Sequence, residues 1–557
     1  MKKTLTIILL FIIILSMLLS TVACDVEDAD AGSTTTTTTV TTTTTTGGGS
    51  GGSGGGGNGG NGGDGPPQAV TGTGEERFNG VNFGGKSVTI TMSNCQDPSR
   101  VGASVAKYMA GADDKGNVDT EDTILMSVKN RNDYVTGKLG LQINYDYMSE
   151  GWQDLATAIK TRYDAHDRDN PIDGVANQLS SIYELMMMGI FRNVSTTAKT
   201  NYFDFTDKSW YADTMQSLSF GADMAEGKKF ILAGDYFIDI IRCIDVIIVN
   251  ENRLSTIGWS TDSFYELITN GEWDYDYFNS LVDSAFSAGP TGDPSKTDEN
   301  DNLGLVYYGS KTNNVFAAAI AMAMVHSADI DYIAAENGNF KYLNNSTVNT
   351  SFSTLAEKAT LLVENRGTLA VEAATDARTV FAGGNTLFVT GMRLYDLENV
   401  AFDSIPKNAI PFPKLNMGTD KYKAYIHDNA SVGAIFNTSD RFTEFSAFWQ
   451  YCTIKSEATR IKYYNDGLGL KYDTAGSGSH TKSMLDILYN NMTVDDYVLD
   501  VHIRKSSVDE VATPMFSLLM AVASGDSELS SAWETALTHK VNGLASAVQK
   551  YNNLNKD

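Results

Sequence analysis

Positive charge is scarce in this 557-residue chain. Lysine and arginine total 42 against 68 aspartate and glutamate residues, which gives a formal net charge of −26. Phosphate backbones and anionic membrane surfaces repel a chain of this charge, and no run of basic residues offsets the imbalance. We therefore expect no nucleic acid among its partners. The hydrophobic fraction of 42% predicts a soluble, globular body.

Cysteine is also rare, with four residues in the whole chain. Cys24 follows an apolar N-terminal segment. The remaining cysteines, Cys95, Cys243 and Cys452, are odd in number and cannot all be paired in disulfides. None of these three lies in a CxxC pair, so the sequence suggests neither zinc nor redox chemistry. We expect no metal and no cofactor, and a fold that depends on its apolar core.

Catalytic motifs are missing as well. The six histidines are scattered without an HExxH pair, and no GxSxG sequence occurs. The sequence therefore predicts that the protein is not an enzyme. A glycosidase with two carboxylates brought together in space stays open as an alternative, because 68 acidic residues allow many such pairs.

The first residues have the pattern of a secretory signal peptide, predicted over residues 1–23. Lys2 and Lys3 precede a nearly uninterrupted apolar run at 5–19, followed by small residues at 20–23. The sequence "TVAC" resembles the lipobox of bacterial lipoproteins, which implies diacylation of Cys24; ordinary cleavage that leaves a free cysteine is the alternative. No other segment approaches the roughly 20 apolar residues that span a bilayer, so this lipid would be the only membrane anchor.

Residues 24–77 are rich in threonine, glycine and serine. Their apolar content is too low to offset the entropy of folding, so we expect a disordered tether. A flexible chain of about 50 residues has a root-mean-square span of about 40 Å. The threonine run is either O-glycosylated or a bare spacer, and in both cases it would hold a folded body away from a membrane.

The segment "GVNFGGKS", residues 80–87, matches the phosphate-binding pattern GxxxxGK[ST]. That loop must follow a buried strand and begin a helix. Here the motif follows the tether, and the next residues, "SVTITM", alternate in the manner of a strand. We therefore interpret the motif as a glycine-rich approach to the first strand and expect no nucleotide site.

Strand and helix signals alternate along the body, which predicts an α/β architecture. Helices are expected over 152–165 and 183–188, and the chain after residue 438 is mostly helical, including a long C-terminal segment at 529–554. The predicted strands are "SVTITM" (87–92), "LQINYDYM" (141–148), "DGV" (173–175), "KFILAG" (229–234), "DVIIVN" (245–250), "TLFVTG" (386–391) and "AIPFP" (409–413).

Several segments occur in an order that resembles the extracellular solute-binding proteins of the family 1 type, the lipid-anchored receptors of bacterial ABC importers. The resemblance covers residue 86 to the C-terminus. It is carried by "FDFTDKSWYADT", "GKKFILAGDY", "DVIIVNENRL", "YELITNGEWDYDYFNSLV", "LGL", "VFAGGNTLFVTG", "AIPFPKL" and "MLDILYNN".

The resemblance implies a type II clamp of the periplasmic-binding-protein kind, in which two α/β lobes are joined by a multi-strand hinge and helices follow at the C-terminus. Lobe one would hold residues 86–242 and 411–455, and lobe two residues 243–410 and 456–557. It further implies a monomer on the outer face of the bacterial cytoplasmic membrane, with a solute as ligand and ABC permease subunits as partners. The solute would be captured between the lobes.

Candidate ligand-binding residues lie where loops leave predicted strand ends, because ligands of open α/β sheets bind at those edges. They combine planar hydrogen-bonding groups with aromatic faces, the two features that oligosaccharides require. These residues are Asn94, Asn177, Gln178, Ser180, Ser181, Asp235, Tyr236, Arg242, Arg393 and Tyr395.

Two conspicuous segments are expected to be structural. In "GEWDYDYF", Asp274 occupies a helix N-cap position, Trp273 would fasten the helix to its lobe, and Tyr277, Phe278 and Leu281 fall on one helical face. The acidic segment "GDPSKTDENDNLGL" at 292–305 lacks the glycine and glutamate of a calcium-binding loop, so we interpret it as a solvated surface loop.

Three functions stay open on the sequence alone. The leading hypothesis is a binding protein that delivers an oligosaccharide to an ABC importer. The second is a surface adhesin or sensor that reuses the same clamp. The third is a peptide or polyamine receptor, which the acidic composition permits.

Overall fold

The computed structural model describes residues 70–494, apart from internal gaps, together with residues 551, 553 and 554. All of these residues belong to one compact unit. Cys24, its leader, the tether before residue 70 and most of the helix expected at 529–554 lie outside the described residues. The gaps are 94–104, 114–115, 149, 151–153, 166–171, 196–199, 220–227, 288–297, 299–300, 311–314, 331–332, 337–338, 343–344, 416–420 and 473–479.

Strands form where short β-branched and aromatic runs are bounded by turns. The predicted strands at 87–92, 141–148, 173–175, 245–250, 386–391 and 409–413 are confirmed, with small shifts at their ends. In chain order the strands are β1 (Lys86–Ser93), β2 (Leu141–Met148), β3 (Gly174–Gln178), β4 (Asp245–Asn250), β5 (Leu303–Ser310), β6 (Val315–Phe316), β7 (Ile333–Glu336), β8 (Asn339–Tyr342), β9 (Thr368–Val371), β10 (Thr386–Arg393), β11 (Lys407–Ile410), β12 (Ala424–Tyr425), β13 (Ser431–Ile435) and β14 (Met492–Thr493).

The helices cover the sheets with apolar faces, and no described helix is long and apolar enough to cross a membrane. Short 3-10 helices occupy Gly74–Phe78, Leu394–Glu398 and Val400–Phe402, and Tyr463–Gly467 is π-helical. The α-helices are α1 (Val105–Ala110), α2 (Thr123–Leu139), α3 (Leu155–Ala165), α4 (Leu179–Met187), α5 (Ala212–Leu218), α6 (Ile238–Arg242), α7 (Glu251–Thr256), α8 (Thr261–Thr269), α9 (Tyr275–Ala285), α10 (Ala318–Ser327), α11 (Ser346–Glu364), α12 (Ala374–Ala382), α13 (Phe442–Ile454), α14 (Glu457–Lys462) and α15 (His480–Asn490).

The first sheet has four strands in the order β13-β3-β1-β2. Strand β1 pairs in parallel with β2 and β3, whereas β13 returns antiparallel to β3. Val88, Ile90 and Met92 of β1 are fully buried in the core. The parallel strands therefore present their carboxyl ends at one edge, and β13 begins at that same edge.

The second sheet has the order β11-β4-β10-β5-β6, with β9 also paired to β5. Strand β4 is antiparallel to both β10 and β11, while β10 and β5 run in parallel. Every residue of β4 is buried, as expected for a central strand with an apolar sequence. The antiparallel pairing places Asp245, at the start of β4, opposite Arg393, at the end of β10.

The phosphate-loop interpretation is settled by the element that follows the motif. Residue Lys86 begins β1, and no helix opens there. Its ammonium group lies 2.6 Å from the carboxylate of Glu444 in α13. The motif is therefore the approach to a strand, as predicted.

The structure corrects the predicted end of the tether. Residues 74–77 lie in an ordered 3-10 helix, so the folded body begins before residue 78. The Glu75 carboxylate pairs with Lys455 at 2.5 Å, and the ring of Phe78 stacks on Tyr451 at a centroid distance of 4.3 Å. Contacts with α13 and the residue after it therefore order a segment whose composition alone predicts disorder.

The predicted strand at 229–234 is wrong. Its apolar side chains are buried, but only isolated bridges join it to neighbouring segments, through Leu232 to Gly433 and through Gly234 to Trp210. The chain turns immediately afterwards, with Phe237 N donating to Gly234 O at 2.8 Å. A buried apolar run therefore occurs here without a continuous ladder of hydrogen bonds.

The start of α9 follows the prediction in all but one residue. The side chain of Asp274 accepts a hydrogen bond from Tyr277 N at 2.9 Å and caps the helix. The indole of Trp273 is fully buried and donates to Pro411 O at 3.0 Å. Phe278 and Leu281 are buried, whereas Tyr277 is 40% exposed, so the prediction that the three share one helical face is wrong for Tyr277.

Candidate functional site

The candidate site lies where three chain segments pass side by side between the two sheets. Ile244 forms an antiparallel bridge with Ile426, and Leu394 N donates to Ile244 O at 2.8 Å. The amide of His427 donates to Cys243 O at 3.0 Å. The ends of β3, β4, β10 and β13 therefore converge at one place.

The loop before β13 packs on the carboxyl end of β3. Leu179 N donates to Ala430 O at 2.8 Å, and Ser180 N donates to Asp428 O at 3.3 Å. Gln178 lies opposite Ser431 in the sheet register. Two predicted ligand residues, Gln178 and Ser180, are thus brought to the same edge as the Asp428 loop, and both are half-buried.

Asn177 is held at this edge with one amide atom unused. Its side chain is 2% exposed, and Oδ1 accepts a hydrogen bond from Gln178 N at 2.6 Å. Among the described residues, Nδ2 has no hydrogen-bond partner. A buried amide nitrogen without an acceptor is costly, so this atom is suited to a ligand oxygen.

Asp245 and Arg393 face each other across the β4–β10 pair. Asp245 is 3% exposed, and its Oδ2 receives no hydrogen bond from the described residues. Arg393 donates through Nη1 to the hydroxyl of Tyr395 at 3.2 Å, while its buried Nε has no acceptor in the described part of the chain. An acceptor and a donor are therefore available side by side.

The electrostatics of this pair set the protonation of Asp245. Burial raises its pKa to about 7, and the attraction of Arg393 only partly offsets this effect. The carboxylates of Asp396 and Asp428 raise the pKa further. Asp245 consequently exchanges its proton near neutral pH.

A β-bulge shapes the Arg393 end of β10. The register shifts between Val389 and Met392, and Gly391 within the shift has φ of +81°. A Cβ atom on Gly391 would overlap Cε1 of the Tyr308 ring. Glycine is therefore required both by the backbone conformation and by the closeness of this aromatic side chain.

Three predicted ligand residues lie in buried networks beside the crossing segments. Asp235 accepts hydrogen bonds from the hydroxyls of Tyr211 at 2.8 Å and Tyr489 at 3.0 Å. Arg242 is fully buried and pairs with acidic side chains, and the Tyr236 ring lies 4.6 Å from the Arg131 guanidinium. The polar atoms of Asp235 and Arg242 are thus engaged by protein partners.

The remaining candidates differ in their placement. Ser181 is fully buried in the first turn of α4. Tyr395 is also buried and lies between two cations, with its ring 5.5 Å from the Arg242 guanidinium. Asn94 lies outside the described residues, so its part in the site stays a prediction.

Asp245, Tyr308 and the loop that carries Asp428 are not among the residues predicted from the sequence. Asp245 begins a predicted strand, and strand starts face away from the ligand edge when strands are parallel. The antiparallel course of β4 reverses this rule. A visible signal was the acidic residue directly before the apolar run "VIIV", because a charge at the border of a buried strand needs a partner.

Metal ligands and large grooves do not coincide with this site. Within the described ranges, no group of three or more His, Cys, Asp or Glu side chains is arranged to hold a metal ion. A groove of about 670 Å³ lies elsewhere, between α2 and α14, and includes Ser127, Tyr134 and Lys462 in its lining. Three of the buried polar atoms that have no partner among the described residues lie at the strand ends, namely Asn177 Nδ2, Asp245 Oδ2 and Arg393 Nε.

No protein-family model and no curated protein sequence matches this chain. Solved structures do match it. The sugar-binding protein MalE from Xanthomonas citri superimposes with a TM-score of 0.52 at 9% identity, covering 84% of this chain and 99% of its own. The galacto-N-biose/lacto-N-biose I-binding protein of the ABC transporter from Bifidobacterium longum gives 0.50 at 10% identity, with coverages of 84% and 98%.

A cyclo/maltodextrin-binding protein complexed with maltotetraose is also similar, with a TM-score of 0.50 at 10% identity and coverages of 82% and 96%. All three structures are matched over almost their whole length. Their likeness to this chain, at such low identity, lies in the fold. The chain therefore has the type II periplasmic-binding-protein fold, with two α/β lobes joined by a multi-segment hinge.

Proposed function

We propose that this protein captures a solute, an oligosaccharide, between its two lobes and delivers it to an ABC importer without chemical change. The observation that carries the proposal is a set of three buried polar atoms at the meeting point of the sheets. Asn177 Nδ2, Asp245 Oδ2 and Arg393 Nε have no partners among the described residues. Each such atom costs about 1–3 kcal/mol, which a ligand with complementary groups recovers.

The chemistry of this edge suits a sugar. A hydroxyl group both donates and accepts, so one sugar can satisfy the Asn177 donor, the Asp245 acceptor and the Arg393 donor. The half-buried ring of Tyr308 supplies aromatic surface for the apolar face of a pyranose ring. The similar structures named above are described as sugar-binding proteins, which supports the same ligand class.

The lobes are proposed to follow the two sheets. Lobe one would hold residues 86–242 and 411–455, and lobe two residues 243–410 and 456–557. Strands β1, β2, β3 and β13 then fall in lobe one, and β4, β5, β10 and β11 in lobe two. A ligand that contacts both lobes favours the closed arrangement, because only that arrangement provides all of its contacts.

The chain is further proposed to work as a lipid-anchored monomer on the outer face of the cytoplasmic membrane. The "TVAC" sequence supports lipidation of Cys24, and the threonine- and glycine-rich residues after it support a spacer. ABC permease subunits would be the protein partners. The membrane would be contacted only through the lipid.

A ligand screen tests the function. The purified mature protein is examined by thermal shift with maltotetraose, lacto-N-biose, short peptides and spermidine. A ligand at 100 times its Kd stabilises the folded state by about 2.7 kcal/mol, so a glycan should raise the Tm visibly. A shift with peptides or spermidine alone would contradict the ligand class.

Two substitutions locate the site for the ligand found in that screen. Asp245→Asn and Arg393→Gln each remove a charged hydrogen-bonding group when affinity is measured above about pH 8, where Asp245 is ionised, and we expect Kd to rise at least about tenfold there. Asp283→Asn is the matched control, because Asp283 pairs with Arg366 on the exposed surface of lobe two. Unchanged affinity in both site variants would refute this placement of the ligand.

A further inference from the structure

A buried carboxylate, Glu398, is held by three separate parts of the fold. It ends the 3-10 helix that follows β10, and its side chain is 12% exposed. It accepts hydrogen bonds from Arg242 Nε at 2.9 Å, from the Tyr463 hydroxyl at 2.8 Å and from the Tyr108 hydroxyl at 3.3 Å. These donors come from α6, from the π-helical turn after α14 and from α1.

Arg242 extends this network into the first sheet. Its Nη1 lies 2.7 Å from Oδ1 of Asp239. The other oxygen of Asp239 accepts hydrogen bonds from Ser431, through N at 3.0 Å and Oγ at 2.8 Å. A continuous series of hydrogen bonds therefore runs from Glu398, beyond the end of the second sheet, to the first residue of β13 in the first sheet.

Both ends of the series adjoin the candidate ligand site. Glu398 follows Arg393 by five residues in the same short connection. Ser431 pairs with Gln178 and follows Asp428 by three residues. A change in the angle between the sheets would therefore move the candidate ligand residues. The same change would also move the partners of Glu398.

We propose that Glu398, Arg242, Asp239, Tyr108 and Tyr463 form a hinge latch that fixes the angle between the lobes and thereby sets ligand affinity without contacting ligand. The five residues are called the Glu398 latch below. The effect on affinity rests on the proposed function, whereas the effect on the lobe angle does not. The latch residues act as positioning residues for the site.

The physical basis is the cost of a buried charge that loses a partner. Arg242 is fully buried and the Glu398 side chain is only 12% exposed, so their charges depend mainly on the latch contacts for stabilisation. Rotation at the hinge separates groups that lie on different elements and leaves these charges less well paired. The π-helical turn at Tyr463–Gly467 is an irregularity of the kind often found at functional sites.

The direction of the effect follows from the described conformation. Asn177 Nδ2, Asp245 Oδ2 and Arg393 Nε are shielded from water in the same arrangement in which the latch is formed. The latch therefore favours the arrangement that encloses the ligand-binding atoms. Weakening it should open the lobes and lower affinity.

The test uses Tyr108→Phe and Glu398→Gln in the mature protein, because Tyr108 lies in the proposed lobe one and donates to Glu398 in the proposed lobe two. Fluorophores on non-natural amino acids at exposed Thr157 in α3 and exposed Ser284 in α9 report the lobe separation by single-molecule energy transfer, with no ligand present. We expect a shift toward longer separations in both variants. We also expect a rise in Kd of about tenfold for the glycan that binds the unchanged protein, as for the loss of one hydrogen bond to a charged group.

Tyr265→Phe is the matched control. Its hydroxyl donates to Glu251 at 2.7 Å, and both residues are confined to the second sheet's side of the molecule. This variant should lose similar stability in urea without a change in separation or Kd. Tyr108→Phe is the milder latch variant and keeps the test valid if Glu398→Gln does not fold.

Two outcomes are decisive. Unchanged separations in Tyr108→Phe, or equal changes in Tyr108→Phe and Tyr265→Phe, would overturn the latch. A shift in separation specific to the latch variants would support it even if no glycan bound the unchanged protein. In that case the proposed function, and not the latch, would be the idea that failed.

Discussion

Replacing Asp245 by asparagine should make the folded protein more stable at neutral pH and leave it unchanged in acid. Asp245 lies in the β4–β10 pair with 3% of its surface exposed. Burial raises its pKa from 3.8 to about 7, against the attraction of Arg393. Such a change in pKa between the unfolded and folded states lowers the free energy of unfolding by about 4 kcal/mol once Asp245 is ionised in both states.

The sign follows from proton binding. Between pH 4 and pH 7 the folded state holds the Asp245 proton more tightly than the unfolded state does, so stability falls as pH rises through this window. Between these pH values the free energy of unfolding falls by about 1.4 kcal/mol per pH unit. Asparagine resembles the protonated acid and does not titrate, so the variant avoids this loss.

Urea unfolding at pH 4.5, 5.5, 6.5 and 7.5 measures the difference between Asp245→Asn and the unchanged protein. We expect the advantage of the variant in the free energy of unfolding to grow from about 1 kcal/mol at pH 4.5 to about 4 kcal/mol at pH 7.5. Asp283→Asn removes an exposed ion pair with Arg366 and should change stability by less than about 1 kcal/mol at every pH. A difference for Asp245→Asn that does not depend on pH would refute the reasoning.

Two further predictions concern the bulge and the membrane anchor. Gly391→Ala should destabilise the fold by about 1–3 kcal/mol in urea unfolding and weaken ligand binding, because φ is +81° and the methyl group would overlap Tyr308. Gly384→Ala is the control, because Gly384 has a similar φ of +82° but free space around it. Cys24→Ser should release the protein from cells into the medium, as measured by blotting of cell and medium fractions, and retention of the variant at the cell surface would contradict lipidation.

Local patterns predicted the elements well where the signal is contained in a few residues. Alternation marked β1, a continuous apolar run marked β4, and Asp274 marked the start of α9. The segment at 229–234 shows where this reasoning stops. It is as apolar and as buried as a strand, but its neighbours offer only isolated bridges, and no local pattern reports that.

The candidate site was predicted in part. Residues at the carboxyl end of β3 and at the end of β10 lie at the converging strand ends, as expected for an α/β sheet. Asp245 was missed because the direction of β4 depends on its pairing with β10. The surroundings of Arg242 were also invisible, since Glu398 lies 156 residues away in the chain.

By itself, the sequence determined the class of the fold, because the periods of apolar residues, the helix caps and the turn residues act over a few positions. It also predicts an export leader and a polar tether before the described residues. Tertiary structure alone decided which buried charges meet, because pairing across β4 and β10 and across the crossing segments joins residues far apart in the chain. The tertiary structure shows that Glu398 has hydrogen-bond partners, whereas Asp245 Oδ2 and Arg393 Nε have none among the described residues.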